Sequence, residues 1–250
     1  MKVLLSPAKA IDLSNKLINS ESSVPVFLED SKSLVNKLKK MSSKKIGEMM
    51  HLSTDLSDLN YERFQKWSEI ETADSDHGQA VALFNGEVYR GFNAGSLTEE
   101  QKKVAQQKIR ILSGLYGILK PFDLIYPYRL EMGTKWAVTP KKKNLYQFWG
   151  SKIGDELKNE DFIINLASTE YFKAADLKKS KATIITPVFK EFKNGDYKVI
   201  MVFAKRARGS MARYIVDHNI ENPELLKGFN VDGYRFDENL SKNSEWVFTR

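Results

Sequence analysis

Residues 183–204 read TIITPVFKEFKNGDYKVIMVFA, two runs of β-branched and aromatic residues separated by Asn194-Gly195. Val, Ile, Thr, Tyr and Phe suit the pleated, half-buried surface of a sheet. Asn-Gly supplies the positive-φ pair of a tight hairpin turn. The pattern predicts a hairpin with strands at 183–192 and 197–204 and one further residue on each side of the turn. Outward from it, helical and strand-like stretches partly alternate, and the hairpin makes the resulting sheet mixed. The fold class expected is therefore α+β or mixed α/β. It has a mixed sheet with a β-hairpin, surrounded by helices, in an unusual topology.

Upstream, residues 2–6 form a short buried-type strand stopped by Pro7, and 14–25 are polar, loop-like and carry Pro25. Helices are expected at 31–41, 44–51 and 55–67, the first with Leu34, Leu38 and Met41 at helical spacing. Residues 80–84 read as an apolar strand before an Asn85-Gly86 turn. Thr98 caps a long helix with Gln101 in the capping-box position, lined by Ala105, Ile109 and Leu112 and ended by Gly114. A helix at 144–157 carries Leu145, Phe148, Trp149 and Ile153. A buried strand is expected at 162–166, a helix at 210–218 and a last strand at 245–248. No repeat or Gly/Ser/Pro-rich linker divides the chain. One domain over 1–250 is expected, with a peripheral helical region at about 29–70.

Of the 250 residues 42% are hydrophobic and 28% charged, ordinary globular composition that argues against wholesale disorder. The absence of cysteine excludes disulfides, thiolate zinc sites and cysteine nucleophiles. His51, His77 and His218 lack metal-ligand spacing, so no metal and no cofactor are expected. No Gly-x-Ser-x-Gly elbow occurs. The first residues have neither a signal peptide's apolar region nor a membrane span, and the protein is expected to be soluble and cytoplasmic, with no membrane and no obligate protein partner.

The net charge of +7 is segregated. Residues 48–76 hold eight acids against two bases, a net of −6, and residues 110–143 hold seven bases against two acids, a net of +5. Lys205, Arg206, Arg208 and Arg213 add four bases with no acid between them. This separation points to one basic face for a polyanion. Residues 205–213 read as a basic loop entering a helix capped by Ser210, suited to phosphate. In 112–121, Gly114 and Gly117 followed by Lys120 resemble, loosely, the bend of a helix-hairpin-helix element that meets a DNA backbone. In 127–136, Tyr128 and Trp136, with Tyr126 just before, are candidates to stack bases between Arg129 and Lys135. Glu131 is expected to pair with Arg129.

In order along the chain, Ser6-Pro7-Ala8-Lys9, residues 82–89 (ALFNGEVY), residues 112–121, residues 127–135, Asn165-Leu166-Ala167-Ser168 with Tyr171-Phe172, and Ala207-Arg208-Gly209 with Met211 and Arg213 resemble the YaaA family of bacterial peroxide-stress proteins. Ala10 and Thr169 depart from that family's usual threonine and asparagine. The resemblance implies protection during peroxide stress with less free iron and less oxidative DNA damage. It also implies an unusual fold with a helix-hairpin-helix-like element and binding to double-stranded DNA in a basic cleft. The expected DNA-contacting set is Lys9, Gly114, Gly117, Lys120, Arg129, Lys135, Lys205, Arg206, Arg208 and Arg213, acting mainly on the phosphate backbone. The rival expectation is an enzyme acting on damaged or modified nucleic acid or on nucleotides, with Ser6, Asn85, Glu131, Ser168 and Glu170 as its polar groups.

Overall fold

A computed structural model describes residues 1–14, 16–19, 21–68 and 77–250. Four acids of the 48–76 run, Glu69, Glu71, Asp74 and Asp76, lie outside these residues. In chain order the strands begin with β1 (Lys2–Leu5), β2 (Ala10–Ile11), β3 (Gly78–Gln79), β4 (Phe84–Asn85), β5 (Ile109–Ser113) and β6 (Gly117–Leu119). They continue with β7 (Leu124–Ile125), β8 (Phe162–Asn165), β9 (Thr183–Lys193), β10 (Asp196–Lys198), β11 (Arg235–Lys242) and β12 (Glu245–Thr249). The α-helices begin with α1 (Leu28–Leu38), α2 (Ser43–Met50), α3 (Thr54–Lys66), α4 (Ala80–Leu83) and α5 (Glu87–Phe92). After these come α6 (Glu99–Lys108), α7 (Leu145–Trp149), α8 (Lys152–Asp155), α9 (Thr169–Phe172) and α10 (Met201–Asp217).

Eight strands form a mixed sheet in the order β11-β12-β9-β8-β1-β5-β6, with β10 also pairing with β9. β12, β9, β8, β1 and β5 run parallel, and β11, β10 and β6 are added antiparallel. The central strands read as apolar runs because both faces are covered. Val3, Leu4 and Leu5 are fully buried, as are Ile163 and Ile164. Each such side chain contributes about 1.5–3 kcal/mol through its removal from water. α1 to α3 add Leu34, Val35, Leu38, Ile46 and Phe64 to the same core. The mixed α/β class is the one expected. The capping box at Thr98 is present, with Thr98 N donating to Gln101 Oε1 (2.8 Å) and Gln101 N to Thr98 Oγ1 (3.3 Å).

Several local expectations are overturned. α6 ends at Lys108, and residues 109–113 form β5 because Ile109, Ile111 and Leu112 are buried beside β1. Gly114 therefore ends a strand, and residues 112–121 contain a β5–β6 hairpin where a helix-hairpin-helix bend was expected. Residues 80–83 are a short helix and not a strand. The helix expected at 144–157 is broken at Gly150 into α7 and α8. The strand expected at 197–204 stops at Lys198, and the supposed basic loop at 205–213 lies inside the seventeen-residue α10. Ser210 is consequently a buried mid-helix residue and caps nothing.

The reason lies in the crossing of α10 over α5. A Cβ on Gly209 would lie 1.8 Å from the Val88 carbonyl oxygen, and one on Gly91 would lie 2.2 Å from that of Arg206. Only glycine lets these two backbones meet, so Gly209 is a packing residue and not a helix breaker.

Candidate functional site

β1 and β8 lie side by side, and the chain leaves their carboxyl ends through Ser6–Ala10 and Leu166–Ser168. In open α/β sheets this edge is where ligands bind. Here a cleft of about 550 Å³ opens between those loops, residues 85–89, residues 128–131 and α10. α10 contributes Met201, Lys205 and Arg208, which share one helix face at i, i+4 and i+7. The tight α5–α10 crossing, where Gly209 meets Val88 and Gly91 meets Arg206, fixes α10 beside α5, whose Glu87, Val88 and Tyr89 line the same cleft.

The floor is built of hydroxyls. Ser168 N donates to Ser6 Oγ (2.8 Å), the two serine oxygens lie 3.3 Å apart, and Tyr89 Oη donates to the Ser6 carbonyl (3.0 Å). Tyr128 Oη and Ser113 Oγ are 2.6 Å apart. Burial raises the Tyr89, Tyr128 and Tyr171 hydroxyls well above the ordinary tyrosine range, so all three stay protonated.

Charge sits around the rim. Lys9 Nζ is 2.7 Å from Glu131 Oε2, and Arg129 reaches the other Glu131 oxygen at 3.3 Å. Arg129 Nε is buried without a hydrogen-bond partner among the described residues. Glu170 accepts from Gly133 N (2.8 Å), and Glu87 pairs with Arg90 (2.5 Å). Each carboxylate of the cleft thus has a donor of its own. Among the described residues Lys205 and Arg208 have no anionic partner. Arg208 is half-buried, and desolvation draws its guanidinium below its ordinary value while leaving it cationic.

Four of the ten expected DNA-contacting residues, Lys9, Arg129, Lys205 and Arg208, line this cleft. Ser6, Asn85, Glu131, Ser168 and Glu170, the polar groups of the rival expectation, line it as well. The other six lie elsewhere. Gly114 and Gly117 flank the fully buried Leu115 and Tyr116, so their N–H groups do not face solvent as a phosphate loop would. Trp149 Nε1 donates to the Gly114 carbonyl (3.1 Å), and Gly117, at φ +71°, leaves room for the same indole. Lys120 follows the outer strand β6, where its N–H donates to Asp123 (2.8 Å). Lys135 and Arg206 are exposed outside the cleft. Arg213 is occupied: it donates to the Asn93 carbonyl (3.0 Å), Ser96 Oγ (2.6 Å) and Asp217 (2.6 Å), clamping the end of α5.

Of the aromatic candidates for stacking, Tyr126 and Trp136 are core residues and Tyr128 belongs to the cleft floor. Tyr89, Tyr171 and Met201 line the cleft without having been singled out as site residues. Their signal was adjacency to the Asn85-Gly86, Ser168 and Lys205 motifs. Among the described residues no group of three or more His, Asp or Glu side chains is placed to hold a metal ion, and no helix is long and apolar enough to cross a membrane.

Residues 1–240 match the model of a family described as "Peroxide stress protein YaaA". Similar chains include UPF0246 protein FP0718 of Flavobacterium psychrophilum, 47% identical with both chains covered fully. A UPF0246 protein of Colwellia psychrerythraea is 48% identical over all of this chain and 99% of its own. UPF0246 protein NMA1114 of Neisseria meningitidis is 45% identical over all of this chain and 98% of its own.

Proposed function

Since the chain belongs to the YaaA (UPF0246) family of peroxide stress proteins, we propose that it protects DNA under peroxide stress by binding double-stranded DNA through the phosphate backbone at this cleft. One observation carries the reading: Lys205 and Arg208 lie on one helix face, one of them half-buried, and neither forms an ion pair among the described residues, the nearby Glu87 being paired with Arg90. A desolvated guanidinium without a counter-charge is unfavourable, and a bound phosphate removes that cost through paired, charge-assisted bonds. Lys9 and Arg129 line the same cleft, and with Glu131 paired to both they add one net positive charge to it. The iron-limiting part of the role rests on the family resemblance.

The dimensions of the cleft support a second reading, an enzyme acting on damaged or modified nucleic acid or on nucleotides. A volume of about 550 Å³ lies within the range of small-molecule sites. Hydroxyl donors and the Lys9–Glu131 pair converge on it.

Fluorescence anisotropy with a labelled duplex tests the first reading. Lys205→Ala combined with Arg208→Ala is expected to weaken binding at least about tenfold, whereas Lys120→Ala, just past the outer strand, leaves it nearly unchanged. Equal affinity in wild type and double variant removes the cleft from the interface. Incubation of the same protein with oxidatively damaged duplex decides the second: a new product that Glu131→Gln abolishes establishes an enzyme.

A further inference from the structure

β9 does not stop where its neighbour stops. It pairs with β8 from Thr183 to Ile185 and with β12 from Thr186 to Lys190, and residues 191–193 continue about 10 Å beyond both, paired in the sheet only with β10. This is the carboxyl edge of the sheet, the edge on which the cleft opens. At the tip, Asn194 and Gly195 both take positive φ (55° and 80°), a turn that holds Lys193 opposite Asp196 and Phe192 opposite Tyr197. Two residues after β10 the chain enters α10 at Met201, which lines the cleft. The hairpin is therefore joined directly to the cleft wall.

Its tip breaks the usual rule for exposed strands. Phe192 is 61% exposed, yet its ring lies 5.3 Å from that of Tyr197 in an edge-on pair. Val199, Met201, Val202 and Phe203 are exposed as well; of these Met201 lines the cleft, and Phe203 lies under the Arg250 guanidinium (5.1 Å). Cations flank the hairpin on both faces: Lys190 shares the face of Phe192, Lys193 and Lys198 project from the opposite face, and Lys205 and Arg206 follow on α10. The two acids here are engaged: Glu191 is held by Arg250 (2.8 Å) and Tyr234, and Asp196 accepts from Tyr197 N (2.8 Å). An aromatic pair in a cationic surround is what an unpaired or displaced base needs, since every base offers a π-face and brings a phosphate with it. Exposed apolar side chains also serve as wedges that open a base step.

We infer that the β9–β10 hairpin is a base-stacking element, with Phe192 and Tyr197 packing against bases of a duplex whose backbone lies along Lys205 and Arg208. This rests on the DNA-binding reading of the cleft. Continuity with the cleft through Met201 and Lys205 favours nucleic acid over a lipid surface or a second copy of the chain.

A duplex carrying 2-aminopurine tests the inference. Wild-type protein is expected to raise its emission on binding, as unstacking does. Phe192→Ser with Tyr197→Ser, both at exposed positions, is expected to abolish that rise and weaken binding roughly tenfold, with an unchanged far-ultraviolet spectrum. Phe192→Trp retains both. If the serine pair binds and unstacks like wild type while Lys205→Ala with Arg208→Ala still weakens binding, the hairpin inference falls and the cleft reading stands. If wild-type protein binds no duplex, both fall. If the serine pair instead loses only binding to phosphatidylcholine–phosphatidylglycerol vesicles, or only self-association in sedimentation, the surface belongs to a lipid or to a second copy, and the inference is overturned.

Discussion

Arg208 illustrates how one residue's setting separates a site from a surface. Lys120, Lys135 and Arg206 were equally basic in the sequence but are exposed outside the cleft, where screening makes their charge cheap. Arg208 is half-buried with its charge uncompensated among the described residues. The cleft tyrosines make a parallel point. Tyr89, Tyr128 and Tyr171 ionise only well above the ordinary value of about 10 because burial opposes the phenolate. The folded chain therefore keeps protons that the unfolded chain loses, and these residues' contribution to stability declines as pH rises above about 10. Absorbance at 295 nm is expected to show at least five of the ten tyrosines, these three with Tyr116 and Tyr234, without phenolate at pH 10.5, and all ten titrating normally in denaturant. Complete phenolate formation in the folded protein at that pH would refute their burial.

Among the elements, α10 carries the account and was the least legible in the sequence. Residues 197–203 are rich in Val, Ile, Tyr and Phe, a strand composition, and Gly209 looks like an interruption. Helix wins because Ala204, Ala207, Met211, Ala212 and Ile215 bury one face and Gly209 lets that face reach α5. Gly209→Ala places a methyl against the Val88 carbonyl and is expected to cost at least ~2 kcal/mol, read as a lower melting temperature and weaker duplex binding. Gly95→Ala, with nothing within 4 Å of the new methyl, is expected to be nearly silent. Equal stability of the two variants would contradict the crossing. By contrast β1, β8 and β12 were readable as short apolar runs, and the Asn194-Gly195 turn as a turn, because those signals are local. The Gly114/Gly117 bend was not, since its meaning depends on Trp149, an indole that arrives from a distant helix to fill it.

Over the whole molecule, the segregated charge proved only partly spatial. Of the two basic runs, the second supplies Lys205 and Arg208 to the cleft and the first supplies Arg129, while Lys9 comes from the loop after β1. Topology makes this convergence: β1 and β8 are neighbours in the sheet although some 160 residues separate them in sequence, and no linear reading reveals that. The cleft's motifs were therefore visible as a set of sequence islands, and their union was not. The central claim is that phosphates occupy the cations at this edge. Duplex affinity measured against salt concentration tests it most directly, because each neutralised phosphate contributes roughly 0.9 to the log–log slope. Wild-type protein is expected to lose affinity steeply with salt, and Lys205→Ala with Arg208→Ala to flatten the slope by about 1–2. A salt-independent wild-type affinity, or identical slopes in the two proteins, would contradict it.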